Sequence, residues 1–121
     1  MASAGSYIGL LMRSRTQAHI FHLDTSSFAM HKALEQYYTG IVPLVDKYAE
    51  TYMGKYGKIN KLNGVNNSIN RNKGSNILGY FMTLRTKIQA MDLPKDSALK
   101  NIEDEIMSLI DSTVYMLRNL K

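Results

Sequence analysis

Apolar residues recur at three- and four-residue spacings in four separate segments of this chain, which leaves little room for anything but packed α-helices. In the first segment Tyr7, Leu10, Leu11, Ala18 and Phe21 fall close to one face of a helix predicted to end near Leu23. Asp24-Thr25-Ser26-Ser27 is a dense set of N-cap side chains, so a second helix is predicted to begin there. Its apolar stripe holds Phe28, Met30, Leu34, Tyr37, Ile41, Leu44, Val45, Tyr48 and Tyr52. Running to about Lys55, it spans ~45 Å at ~1.5 Å per residue. Gly40 and Pro43 oppose that length, but the apolar phase continues on both sides of Pro43, which predicts a kink rather than a break.

Residues 54–75 carry four glycines and six asparagines and read as a long connection. A third stripe follows at Ile77, Tyr80, Phe81, Leu84, Ile88 and Met91, and Leu93-Pro94-Lys95 ends it. Asp96 or Ser97 then caps a fourth helix that turns Ile102, Ile106, Leu109, Thr113 and Leu117 inward. Glu103, Asp104 and Glu105 lie in its N-terminal half, where the helix dipole favours acids. The expectation is an all-α, antiparallel four-helix bundle with a long crossover between helices two and three. All 121 residues fit one domain.

Composition excludes several chemistries. Without cysteine there is no disulfide framework, no thiolate metal site and no thiol nucleophile. No apolar run approaches the ~20 residues that span a bilayer, and Met1 to Ser6 lacks the basic flank and apolar core of a secretion signal. The expected setting is the cytoplasm, or an assembly built there. The net charge of +5 reads first as a solvated surface. Were nucleic acid bound, Lys55, Lys58, Lys61, Arg71 and Lys73 of the connection would carry the phosphate contacts. No phosphate loop, zinc finger or helix-turn-helix pattern supports that beyond charge.

The residues with chemistry cluster. All three histidines, His19, His22 and His31, lie early in the chain, and Glu35, Asp46 and Glu50 follow. Imidazole and carboxylate suit iron, zinc and manganese. At about 100° per residue, Glu35, Asp46 and Glu50 share with His31 one stripe of the second helix. His31 and Asp46 nevertheless stand ~22 Å apart along the axis and cannot ligate one metal within one chain. A two-fold partner running antiparallel would join His31 and Glu35 of one subunit to Asp46 and Glu50 of the other, which predicts a homo-oligomer. Tyr37, Tyr38, Tyr48 and Tyr52 crowd the same helix, with Tyr56 just beyond, and read as packing or interface residues.

Phe21-His22-Leu23, His31-Lys32-Ala33-Leu34-Glu35, Asp46-Lys47-Tyr48-Ala49-Glu50 and Gly54 together resemble the miniferritins known as Dps, the DNA-binding proteins from starved cells. The likeness is closer still to short ferritin-like proteins of tailed phages, which have a His-aromatic-Gln-Thr run where this chain has His22-Leu23-Asp24-Thr25. It covers about residues 18 to 56. It implies a ferritin-like fold, iron oxidation at a dimer interface, a multi-subunit shell and, in many members, DNA protection. The implied ligands are His22 or His19, His31, Glu35, Asp46 and Glu50. Glu35 stands where Dps has aspartate, Pro43 is foreign to the Dps helix, and tryptophan is absent. His19 keeps the Dps spacing to His31, whereas His22 keeps the local Phe-His-Leu context. The competing reading is a non-enzymatic phage assembly or virion protein on the same fold.

Overall fold

The computed structural model describes residues 3–66 and 76–119, which form four α-helices and no strand. They are α1 (Ser3–Asp24), α2 (Phe28–Tyr56), α3 (Asn76–Gln89) and α4 (Ser97–Asn119). Most of the predicted stripes become the core, with Tyr7, Leu11, Phe21, Leu34, Tyr37, Ile41, Tyr48, Ile77, Phe81 and Ile106 all buried; Phe28, counted in the second stripe, is instead exposed in the first turn of α2, beyond the reach of the core. Each such side chain contributes ~1.5–3 kcal/mol by leaving water. The tyrosines that enter the core bring hydroxyls with them. Tyr37 meets the Ser14 hydroxyl at 2.7 Å and packs edge-on against Phe81 at 4.9 Å.

Caps set the helix ends. Ser27 is the N-cap of α2, its hydroxyl accepting from the Met30 amide at 3.2 Å, while Thr25 accepts from the Ser27 amide. Asp96 precedes α4 and accepts from the Leu99 amide and from the Tyr56 hydroxyl. Burial alone would raise its carboxyl, but that hydroxyl, Lys55 and the backbone donors outweigh it and hold the group below the usual carboxylate range. Pro43 lies inside α2 on the exposed side, and the helix continues through it. The one carbonyl deprived of its partner, that of Thr39, then belongs to the solvent-facing turn.

The helices close a ring in the order α1, α2, α4, α3. Ser14 pairs with Tyr37 and Tyr7 with Tyr48, so α1 and α2 are antiparallel. Tyr48 meets Glu103 and Tyr56 meets Asp96, so α2 and α4 are antiparallel too. Arg85 to Asp111, at 2.6 Å, and Met82 to Arg118, at 3.5 Å, set α3 against α4 in the same sense. It follows that α2 and α3 point the same way, and the chain between them must travel the length of the bundle. Its described part, 57–66, returns along α1: the Lys61 carbonyl oxygen lies against Gly5, that of Asn63 against Gly9, and Asn63 Nδ2 donates to the Ser6 hydroxyl at 3.1 Å. A Cβ at either glycine would overlap those carbonyls, so only glycine lets the backbones approach so closely. Among the described residues no helix is long and apolar enough to cross a membrane.

Candidate metal centre

The short α1–α2 turn folds His22, in the last turn of α1, against His31, in the first turn of α2. Their imidazoles stack with centroids 3.6 Å apart and planes 20° from parallel. Each ring also bonds the other residue's backbone: His22 Nδ1 to the His31 carbonyl at 2.7 Å, and His31 Nδ1 to the His22 carbonyl at 2.8 Å. A carbonyl oxygen only accepts, so in both neutral rings the proton sits on Nδ1. Nε2 is therefore left with its lone pair in both. In metal-binding histidines the ring nitrogen away from the ion commonly donates to a backbone carbonyl or carboxylate in this way, which fixes the tautomer and the ring's orientation.

Glu35, one helical turn after His31, completes a group of three. One ligand atom from each of His22, His31 and Glu35 lies within 4.8 Å of the other two. A metal at ~2.0–2.2 Å from each needs ligand atoms about 3.4 Å apart, so the set has to close up, and the stacked rings, whose lone pairs lie in nearly parallel planes, have to turn toward each other to share one ion. Glu35 is the most mobile arm: it is half-exposed, and among the described residues its carboxylate pairs with Lys32 alone, at 3.5 Å. His22 is buried, and Phe28 lies parallel to the His31 ring at 6.1 Å. The donor set is two neutral imidazoles and one carboxylate, which fits a first-row divalent ion and leaves coordination positions open.

The remaining candidates sit elsewhere. His19 stacks on Tyr38 at 4.3 Å, with its centroid 6.0 Å from that of His22, and is not in the three-residue group. Asp46 is exposed at the rim of a groove between α1 and α2, where Arg15 and Val65 also lie. Glu50 is exposed one turn further on. Neither joins His31 within this chain, as helix length requires. Of the basic residues, Lys55 pairs with Asp96 at 3.5 Å, Lys58 and Lys61 are exposed on the connection, and Arg71 and Lys73 fall outside the described residues.

A second polar group went unread in the sequence. Glu103 of α4 is buried and accepts from the Tyr48 hydroxyl at 2.9 Å. Burial raises its carboxyl above the ordinary range, against the pull of that hydroxyl and of Lys100 and Lys95. Burial likewise raises the phenols of Tyr48 and Tyr7. The signal was available: Glu103 falls in phase with Leu99, Ile106 and Ile110.

Fold and site together define an all-helical four-helix domain with a His–His–Glu constellation at one hairpin turn. The chain belongs to a family of unknown function, DUF5856, whose model matches residues 22–117, from the first histidine of that constellation through most of α4. It is similar to an uncharacterized 14.6 kDa protein from the mobD-ri intergenic region of Enterobacteria phage T4, with 37% identity over 57 residues. That match covers 47% of this chain and 44% of the phage protein, so the chain spans less than half the length of the curated relative. No solved structure matches it.

Proposed function

We propose that this chain is a ferritin-like metal-binding protein that takes up a first-row divalent ion, iron foremost, on His22, His31 and Glu35. The observation that carries this reading is the pair of imidazoles whose Nδ1 atoms are committed to backbone carbonyls while one ring nitrogen of each lies within 4.8 Å of a Glu35 carboxylate oxygen. Zinc and manganese suit the same donors. Two histidines and one carboxylate do not fill a coordination sphere. With Fe²⁺ as substrate, dioxygen or hydrogen peroxide would reach the open positions, and electrons would pass from iron to that oxidant. The ring order and the parallel α2 and α3 support a ferritin-like arrangement.

In this proposal a second copy completes the site. Asp46 and Glu50 lie on the same helix as His31, are exposed, and are too distant to act within their own chain. Metal analysis of the purified protein is the first test: stoichiometric ion in wild type, and loss of it in His31→Ala and in His22→Ala. Mixing His31→Ala with Glu50→Ala protein then tests the partner. Recovery of metal at about half the sites of mixed dimers supports a shared site, since one site keeps every ligand and its twin loses two. Mixed dimers that bind none would rule it out.

The similarity to a phage T4 protein favours a second reading, in which the chain is a phage-encoded assembly or virion component on the same fold. Exposed Leu23 and Phe28 beside the turn, at 66% and 75%, would then serve association rather than chemistry. Wild-type protein that binds no metal, yet sediments as an oligomer, selects this reading.

A further inference from the structure

The opposite end of the bundle carries a polar group that chemistry at the hairpin turn does not use. Glu103 is only 9% exposed, and the one hydrogen bond its carboxylate receives from a side chain comes from Tyr48. Tyr7, fully buried, meets Tyr48 edge-on at 5.0 Å, and its hydroxyl has no hydrogen-bond partner. Replacing a buried charge by an apolar side chain is commonly neutral or stabilising, so packing gives no reason for a carboxylate here. Polar groups retained at such a cost cluster where something binds.

Tyr7 and Glu103 line an open cleft of about 260 Å³ between α1, α4 and the α3–α4 turn. Lys95, Lys100 and Asp104 stand around the same cleft, and Met91, Leu93 and Met107 give it an apolar wall. Lys100 is tied to Asp104 at 3.0 Å, whereas Lys95 makes no close ion pair among the described residues and acts on Glu103 only through longer-range attraction. Two ammonium groups and two carboxylates among the lining residues give the cleft both signs of charge and no net charge from those four. A simple anion would meet repulsion from Glu103 and Asp104, and a simple cation would meet it from Lys95 and Lys100. A molecule carrying both signs can satisfy both kinds of group. The volume lies below the ~300–1,000 Å³ of drug-sized sites, which suits a handful of heavy atoms rather than a nucleotide.

We infer that this cleft binds a small zwitterion with an apolar substituent, the chemistry of a free α-amino acid, with its ammonium at Glu103, its carboxylate at Lys95 and its side chain on the methionine wall. The inference is independent of metal at the hairpin turn. L-methionine titrated into the full chain, followed by the tyrosine ring NMR signals and by calorimetry, tests it. Saturable shifts of Tyr7 and Tyr48 with a Kd of about 1 mM are expected, with propylamine and acetate at equal concentration producing far smaller ones. Glu103→Gln, which keeps an acceptor for Tyr48, and Lys95→Ala, on the surface, should each weaken binding about tenfold. Thermal melts of both variants establish that they fold, and His31→Ala should bind as wild type does. No saturable shift with L-methionine or L-leucine up to about 50 mM, or undiminished affinity in both variants, overturns the inference.

Discussion

At the scale of single residues, three side chains matter for reasons their neighbours in sequence do not reveal. His22 and His31 are nine positions apart and hold each other's backbone, so either alanine variant removes a stack, a ring–carbonyl bond and a candidate ligand together. Glu103 is the third. Because its carboxyl is held above the ordinary range, the folded state binds more protons than the unfolded one, and stability falls as pH rises through the folded value. Glu103→Gln keeps the acceptor and never ionises. Its melting temperature should match wild type at pH values where the carboxyl is protonated and exceed it progressively above them. A gap that stays constant with pH would show that ionisation is not the cost. Tyr48→Phe should destabilise by ~1–3 kcal/mol, because it strips the buried carboxylate of its side-chain donor.

At the scale of elements, the glycines divide by what surrounds them. Gly5 and Gly9 of α1 sit beneath the returning connection, with carbonyl oxygens where a Cβ would go. Gly9→Ala should lift that segment and cost about 1–3 kcal/mol in urea unfolding, as overpacking does. Gly54, near the end of α2, has nothing within 4 Å of a built Cβ. Gly54→Ala should stabilise by about 0.5–1 kcal/mol through helix propensity. The same contrast explains what the sequence made legible. All four helices were readable because their stripes face one core, and α2 was readable across Pro43 because Ile41 and Val45 keep phase on both sides. Which histidine joins His31 depends on how tightly the Asp24–Ser27 turn closes, and that choice lies in the backbone path rather than in residue type. Glu103 was hidden for a related reason. Flanked by Asp104 and Glu105 it looks like a solvated acid, and only the register of α4 against α2 places it beside Tyr48.

At the scale of the whole molecule, a bound ion should report on both site and assembly. Metal at 100 times its Kd should add about 2.7 kcal/mol of stability, read as a rise in melting temperature that is absent in His31→Ala. If a partner's Asp46 and Glu50 complete the sphere, that rise should also grow with protein concentration; a rise indifferent to concentration places every ligand in one chain. The direction of the helices divides the molecule into two local hairpins, α1–α2 and α3–α4, joined by the long connection. The mutual grip of His22 and His31 lies wholly inside the first hairpin and closes a loop of only a few residues, which costs little chain entropy. We predict that contacts this local form early on the path to the native state. Metal added during refolding should therefore accelerate folding and leave the unfolding rate almost unchanged. Stopped-flow traces with and without the ion would show which limb of the chevron moves, and so when in its own folding the protein becomes able to hold a metal.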